Sequence, residues 1–146
     1  MVSIRHFSDS DIDAIHTHLY PDMRADEIRD LVREWNSGSW QGKPFEMLAI
    51  LNATEIVGTI SLYEHSKSVA SVGVEIFEPH RRKGYAYEAN LLLERARQRG
   101  YRVIQNQVGI DNAASIRLNE KLGFESDDYI YRNKKDRPVY LFLKAL

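Results

Sequence analysis

Apolar and polar positions alternate along several short stretches of this chain, and each stretch predicts a β-strand. The first runs from Val2 to Phe7. Another begins at Val72 and stops at Glu78-Pro79, because proline has no N–H to donate to a β-ladder. Gly58 lies inside a third strand, Ile56–Tyr63, and indicates a bulge or a close backbone contact. The other predicted strands, of which the last two form a hairpin, are Phe45–Leu51, Tyr101–Val108, Tyr129–Arg132 and Val139–Leu143.

Apolar residues that recur three and four positions apart predict four amphipathic helices between these strands. Ser8 or Asp9 caps the first helix, and Asp111 or Asn112 caps the fourth. The four apolar faces are Ile12, Ile15 and Leu19; Ile28, Leu31, Val32 and Trp35; Tyr85, Ala89, Leu92 and Ala96; and Ala114, Leu118 and Leu122. The resulting order, β-α-α-β-β-β-α-β-α-β-β, predicts an α/β fold with one βαβ crossover inside a mixed sheet.

Composition narrows the class of protein. A length of 146 residues suits one domain, residues 1–146, and the apolar share of 43% is ordinary for a globular chain. A net charge of −1 gives no general reason to expect nucleic acid or an anionic membrane as a partner. The lack of cysteine excludes disulfides, thiolate metal sites and a cysteine nucleophile. Because no signal-peptide core and no apolar run of about 18 residues occurs, we expect a cytoplasmic protein.

The segment 78–86 combines a strand end, a glycine-bearing turn and a helix start, a combination that binds anions. The N–H groups of a first helical turn have no partner inside the helix, and they face whatever lies there. Gly84 lets the backbone approach a ligand, and the small Ala86 keeps a second approach open. Three consecutive cations precede the turn: Arg81, Arg82 and Lys83. The segment therefore predicts a phosphate site, with a solvated basic loop as the plain alternative.

The spacing Arg81-x-x-Gly84-x-Ala86 resembles the pyrophosphate-binding motif Gln/Arg-x-x-Gly-x-Gly/Ala of the GNAT acetyltransferase superfamily. It differs from the P-loop, which ends in Gly-Lys-Ser/Thr, and from the dinucleotide motif G-x-G-x-x-G. Its extension, Gly-Tyr-Ala-Tyr-Glu-Ala, is similar to the branch that includes the ribosomal-protein N-terminal acetyltransferases. A second segment, Asn112–Phe124, resembles the family's Asn-x-x-Ser…Leu-x-x-x-Gly-Phe motif. Since the predicted element order is also the family's, the resemblance covers essentially the whole chain.

The resemblance implies a mostly antiparallel central sheet flanked by helices, with acetyl-CoA as cosubstrate and no metal. The pantetheine arm would pair with the backbone of Val74 and Ile76 as a short extra strand, and the helix after Asn112 would lie beside the thioester. The implied cofactor-binding residues are Val74, Glu75 and Ile76 on the strand, Arg81, Arg82, Lys83, Gly84, Tyr85 and Ala86 in the loop, and Asn112 and Ser115 in the second motif. Acetyl-CoA and an amine are the expected partners, without nucleic acid or membrane, and a homodimer stays open.

Direct acetyl transfer needs a neutral amine and a proton for the leaving thiolate. Many family members carry a Tyr for that proton where this chain has Asn119, which donates a hydrogen bond but no proton at neutral pH. In the ribosomal-protein branch a serine contacts the thiol, and Ser115 matches it; a capping serine is the alternative. Glu75 is the carboxylate nearest the predicted thioester and a candidate base, with a solvent-facing strand glutamate as the alternative. The histidines, His65 among them, are scattered and predict no metal site.

The sequence thus predicts an N-acetyltransferase that moves the acetyl group of acetyl-CoA directly to a primary amine. The acceptor is a protein N-terminus, a polyamine, an amino acid or a small amine. A module that binds or senses acyl-CoA without turnover is the alternative, because the family's usual Tyr is missing and no base is fixed. A phosphate-binding protein of another kind is a third reading, and the second motif argues against it.

Overall fold

The computed structural model describes residues 2–88 and 91–146, apart from the Leu91 side chain. Its helices are α1 (Ile12–His18), α2 (Ala25–Asn36), α3 (Tyr85–Glu88), α4 (Leu91–Gln98) and α5 (Ala113–Lys121), with short 3-10 turns at Asp9–Asp11 and Glu78–His80. Its strands are β1 (Val2–His6), β2 (Ser39–Trp40), β3 (Lys43–Asn52), β4 (Glu55–Glu64), β5 (Val69–Ile76), β6 (Val103–Gly109), β7 (Glu125–Ser126), β8 (Tyr131–Arg132) and β9 (Pro138–Ala145). No helix in these described ranges is both long and apolar enough to cross a membrane.

The described strands form one sheet in the order β1-β3-β4-β5-β6-β9-β7, with β2 added beside β3 and β8 beside β9. Neighbouring strands run antiparallel except β5 and β6, which are parallel. Parallel neighbours need a crossover connection, and α3 and α4 lie in the chain between these two strands. The predicted mixed, mostly antiparallel sheet with one βαβ crossover is therefore confirmed.

The sheet divides between β5 and β6. The two strands pair only at Val69 with Val103 and at Ala70 with Ile104. Beyond that point β5 stays paired with β4 as far as Ile76, while β6 stays paired with β9. The facing edges of β5 and β6 consequently diverge and leave a gap in the middle of the sheet.

Apolar side chains on the two faces of the sheet form two separate cores. Leu48 and Ile50 of β3 belong to the core beneath α4, while Ala49 and Leu51 belong to the core beneath α1 and α2. Successive strand residues point to opposite faces, so a strand buried on both sides reads as a continuous apolar run. Helices therefore cover both faces of the sheet.

The structure differs from the predicted boundaries at several strand ends. β5 begins at Val69, three residues before the predicted start at Val72. The carbonyl of Val69 accepts hydrogen bonds from the N–H groups of His65 and Ser66, which closes a tight turn before the strand. β6 begins at Val103, because the Tyr101 N–H still bonds to the last turn of α4. The predicted strand Tyr129–Arg132 shortens to β8, and the short β7 was not predicted.

The predicted third helix begins at Tyr85 as expected, with α3 and α4 described on either side of residues 89–90. Ala89, which the sequence places on its apolar face, lies outside the described residues. Two other residues of this predicted apolar face, Leu92 and Ala96, are fully buried as expected.

Gly58 confirms the sequence prediction for its position on β4. The register between β3 and β4 shifts beside it, which is a bulge. A Cβ at Gly58 would also collide with the Glu75 carbonyl oxygen on β5. Only glycine lets the two backbones come this close.

Candidate active site

The divergence of β5 from β6 opens a cleft of about 230 Å³ on the face that α5 covers. Strands supply one wall, and α3, α4 and α5 supply the other. The cleft brings together several residues that the sequence analysis selected from separate motifs. Among its lining residues are Val72, Val74, Ala86, Asn106, Ser115 and Asn119.

The basic loop beside this cleft has an open backbone. Arg82 and Gly84 have φ of 65° and 81°, in the left-handed region that favours glycine. A Cβ on Gly84 would meet nothing within 4 Å, so the space above it is free. The Glu88 N–H bonds to the Gly84 carbonyl at 3.1 Å, which makes Gly84 the residue before the helix. The N–H groups of Tyr85 and Ala86 therefore have no carbonyl partner within the helix.

Two side chains of the loop already have partners in the protein. Arg81 Nε donates to the Ile76 carbonyl at 2.9 Å, which folds the guanidinium back onto the end of β5. The Tyr85 hydroxyl accepts a bond from Asn52 Nδ2 at 2.9 Å, so its ring points toward the sheet. Tyr85 can therefore reach a ligand through its backbone N–H alone, whereas Arg82 and Lys83 have exposed side chains.

Along β5, the backbone N–H and C=O groups of every second residue point into the gap. The Val72 N–H bonds across the gap to Asn106 Oδ1 at 3.0 Å, while the Phe77 N–H bonds to Val57 of β4. Backbone groups alternate in direction along a strand, so those of Val74 and Ile76 point into the gap with Val72. Glu75 shares the direction of Phe77, toward β4. The strand edge available to an extended ligand is therefore formed by Val74 and by the N–H group of Ile76, since the Ile76 carbonyl already accepts the Arg81 Nε hydrogen bond.

Helix α5 carries the predicted serine and asparagine into the cleft. Asn112 caps it, and its Oδ1 accepts the Ser115 N–H at 3.1 Å, which confirms one of the two predicted caps. Asn119, one turn after Ser115, is buried and donates to the Ser115 carbonyl at 2.8 Å. Its Oδ1 accepts from Asn106 Nδ2 at 3.1 Å. A continuous set of hydrogen bonds thus joins β5, Asn106 of β6 and α5 across the gap.

Glu75 is not brought together with Ser115 and Asn119. Its exposed side chain lines a separate depression with Thr17, His18 and Arg81. Four residues of strand, about 13 Å, separate it from Ser71, which lies at the opposite end of the gap. The sequence prediction that Glu75 is the carboxylate nearest the reaction centre finds no support in this arrangement.

His65, for which the sequence predicted no role, lies at the end of the gap where β5 and β6 still pair. His65 Nε2 lies 2.5 Å from Ser71 Oγ, and Ser71 Oγ in turn donates to the Gln105 carbonyl. A carbonyl oxygen only accepts, so the serine proton is committed to Gln105 and His65 Nε2 must be the donor to Ser71. In the neutral imidazole this leaves Nδ1 as the basic nitrogen. His65 and Ser71 line a groove of about 600 Å³ that shares Val72 and Asn106 with the cleft.

The surroundings of His65 favour its neutral form. Burial is the main cause that lowers the pKa of the imidazole below 6.5, and the positive charges of Lys43 and Lys134 add to it. Neutral His65 at physiological pH can accept a proton. The signal in the sequence was a set of polar residues on these strands, since a polar residue in an apolar strand needs a partner: Ser61, Ser71, Gln105, Asn106 and Gln107.

The buried carboxylate of Glu46 on β3 has a structural role. Arg95 Nε and Nη2 donate to its two oxygens at 2.9 Å each, and Arg99 adds a further ion pair. Burial would raise the pKa of Glu46, but the Arg95 hydrogen bond and the charges of Arg99 and Arg95 outweigh it and keep the pKa low. Because Arg95 of α4 and Arg99, just after that helix, both donate to the carboxylate, Glu46 holds the end of α4 on the sheet.

Comparison with known proteins gives the same picture. The model of the GNAT acetyltransferase domain matches residues 2–125. The chain is 33% identical over 97 residues to the SPbeta prophage-derived uncharacterized N-acetyltransferase YokL of Bacillus subtilis, a match that covers 64% of this chain and 55% of that protein. The chain spans little more than half the length of the curated relatives it matches.

Solved structures share the fold. An acetyl transferase of Salmonella typhimurium that modifies the N-terminal serine of 50S ribosomal subunit protein L7/L12 is 18% identical, with a TM-score of 0.81 over 99% of this chain and 95% of that one. A spermidine N-acetyltransferase of Vibrio cholerae, in complex with CoA and spermine, is 17% identical, with a TM-score of 0.72 over 99% and 95%. The family expected from the two motifs is confirmed: this chain belongs to the GNAT acetyltransferases.

Proposed function

We propose that this protein transfers the acetyl group of acetyl-CoA directly to a primary amine across the gap between β5 and β6. One observation carries the proposal: a cleft on the α5 face and a groove on the opposite face meet at Val72 and Asn106. The cleft suits the thioester and the groove suits the amine, so that the two reactants approach one point from two sides. Residues 1–146 would act as one domain, since β1 and β9 belong to the same sheet.

Acetyl-CoA would enter along the cleft with its pyrophosphate at the basic loop. The free N–H groups of Tyr85 and Ala86, and the open space over Gly84, suit phosphate oxygens. Arg82 and Lys83 would add charge-assisted hydrogen bonds. Arg81 would contribute its remaining guanidinium N–H groups, since its Nε is held by the Ile76 carbonyl.

The pantetheine arm would pair with the open edge of β5. The backbone groups of Val74 and Ile76 point into the gap, where β6 no longer reaches them. An amide chain in this place extends the β5 half of the sheet by one short strand. Asn112 would act mainly by ordering the start of α5, because its Oδ1 is occupied by the Ser115 N–H.

His65 and Ser115 are the proposed proton acceptor and donor. The amine nitrogen attacks the thioester carbon, a C–N bond forms, and His65 Nδ1 takes the proton that the nitrogen loses. The C–S bond then breaks, and the Ser115 hydroxyl gives its proton to the thiolate and recovers one from solvent. His65 returns the proton it took to solvent, so that no net proton is consumed. The products are an N-acetyl amine and the CoA thiol, with no acyl-enzyme.

Asn119 would position Ser115 rather than act on the sulfur itself. Its amide N–H groups are directed at the Ser115 carbonyl, at 2.8 Å, and at the Ser115 hydroxyl, at 3.5 Å. The Ser115 hydroxyl would thus accept a hydrogen bond from Asn119 and could donate its own hydrogen into the cleft.

The test is a thiol-release assay with acetyl-CoA and a panel of amines: an N-terminal peptide, spermidine, an amino acid and a small monoamine. We expect release with at least one amine, mass-shifted product, and thermal stabilisation by acetyl-CoA and CoA but not by ATP. Stabilisation without turnover of any amine would favour an acyl-CoA-binding module. Absence of stabilisation at millimolar acetyl-CoA would refute the cofactor site.

A further inference from the structure

The groove beside His65 carries cations and no carboxylate. Lys134, Lys135 and Arg137 line it from the turn between β8 and β9, and its remaining lining residues are neutral or are His65 itself. A fourth cation is next to it, since Lys43 Nζ donates to the His65 carbonyl at 2.9 Å. An acceptor that enters this groove therefore meets a positive surface before it meets the thioester.

The turn that holds these cations has a defined shape. Asn133 Oδ1 accepts the N–H groups of Lys135 and Arg137, at 3.0 and 2.9 Å. The Asn133 N–H bonds to the Arg137 carbonyl at 3.0 Å and closes the turn. Asp136 is the acidic residue of the turn, and its carboxylate is not among the residues that line the groove. These hydrogen bonds hold the backbone of the turn, and with it the Cα atoms of Lys134 and Lys135, in a defined position beside the groove.

These cations lack acidic partners within residues 2–88 and 91–146. Lys134, Lys135 and Arg137 form no ion pair there, whereas Arg95 and Arg99 are both paired with Glu46. Cations gathered around a concave site repel a positive ligand and attract a negative one, over a range set by the ionic strength. A cavity of about 600 Å³ also exceeds what one small amine fills.

We propose that the acceptor is a primary amine carried by a molecule with carboxylates close to the amine, and that a polycation such as spermidine is disfavoured. The proposal rests on the acetyl-transfer function given above. Carboxylates of the acceptor pair with Lys134, Lys135 and Arg137, while the amine reaches His65. An acidic peptide N-terminus and a free acidic amino acid share this chemistry.

The first experiment compares kcat/KM for an N-terminal peptide with glutamates at its second to fourth positions, the same peptide with lysines there, free glutamate and spermidine. Each exposed ion pair is worth about two- to fivefold in affinity, so we expect the acidic peptide to exceed the lysine peptide by roughly tenfold or more, less so at high salt. The peptide and free glutamate arms separate the two sources of carboxylate. Equal or better turnover of the lysine peptide or spermidine would overturn the proposal and leave acetyl transfer intact.

The second experiment uses variants at pH 8, where His65 stays neutral. Lys135→Glu and Arg137→Glu should each raise KM for the acidic acceptor about fivefold or more, leave kcat and acetyl-CoA affinity unchanged, and improve the lysine peptide. Arg102→Glu is the matched charge reversal, because Arg102 is exposed, forms no ion pair within the described residues and does not line the groove. If it has the same effect, net charge and not the groove is responsible, and the proposal fails.

A binding arm is independent of turnover. Fluorescein-labelled acidic and lysine peptides are titrated with the protein in the presence of CoA, and anisotropy is followed. Tighter binding of the acidic peptide, lost in Lys135→Glu, supports the proposal. Equal binding of the two peptides, or binding of neither, contradicts it.

Discussion

The substitution His65→Gln removes the basic nitrogen of His65 and keeps its hydrogen bond to Ser71. The amide N–H of glutamine can reach Ser71 Oγ much as His65 Nε2 does at 2.5 Å, so the contact toward Gln105 should survive. What disappears is the titratable Nδ1. Loss of a general base typically costs 10²–10⁴ in rate, equivalent to about 3–5 kcal/mol of transition-state stabilisation. Since the hydrogen bond is exposed and largely retained, folding stability should change by less than about 1 kcal/mol.

The assay is thiol release against pH at saturating acceptor, where kcat reports groups in the bound complex. The base acts when neutral, so wild-type kcat should fall as pH drops through the pKa of His65. That midpoint should lie below 6.5, because burial, Lys43 and Lys134 all lower the pKa; the Tyr63 ring, edge-on at 5.3 Å, adds no charge. The variant should lose this acid limb together with most of its rate. A variant with nearly wild-type kcat and an unchanged acid limb would refute the assignment of His65 as the base.

Four further outcomes are expected. Acetyl-CoA at a hundredfold excess over its Kd should stabilise the wild type by about 2.7 kcal/mol; Gly84→Val should abolish this, and strain at φ 81° should also lower the apo Tm. Ser115→Ala should lower kcat at least tenfold with little change in acetyl-CoA Kd. Asn119→Tyr should destabilise by about 1–3 kcal/mol in a urea titration, because a larger ring must replace a buried, hydrogen-bonded amide. Glu46→Gln should cost about 1–3 kcal/mol, below the figure for fully buried pairs, since the side chains of Arg95 and Arg99 stay 38% and 41% exposed. The Glu46 contribution is present above pH 4.5 and lost as pH falls through the lowered pKa, so the two urea midpoints should converge in acid.

Each of these has a result that contradicts it. Wild-type CoA binding by Gly84→Val would place the phosphate loop elsewhere. An unchanged kcat in Ser115→Ala, with Asn119→Ala inactive, would exchange the roles of the two residues. A stable and more active Asn119→Tyr would show that the cleft accepts the tyrosine that many members of the family carry. A wild type that gains stability relative to Glu46→Gln as pH falls below 4.5 would mean that the fold holds this carboxyl in its protonated form.

The sequence by itself determined the elements and the family. Periodicity of two or about 3.6 residues decides strand or helix locally, so β3, β4 and α2 could be read from the chain. The loop at Gly84 and the cap at Asn112 were equally readable, because each depends on neighbours within a few residues. Both lie where the motifs predicted them, while the roles assigned to their side chains remain predictions.

Tertiary structure alone decided which groups face one another across the gap. Ser71 and Gln105 are 34 residues apart, and so are Val72 and Asn106, and no local pattern encodes such pairs. The choice of Glu75 as a candidate base stays a prediction, because sequence distance from the predicted thioester does not say on which side of a strand a side chain lies or how far along it. Strand divergence is a property of the packed sheet, because it depends on where the pairing of β5 with β6 ends, and the paired residues Val69 and Val103 lie far apart in the chain.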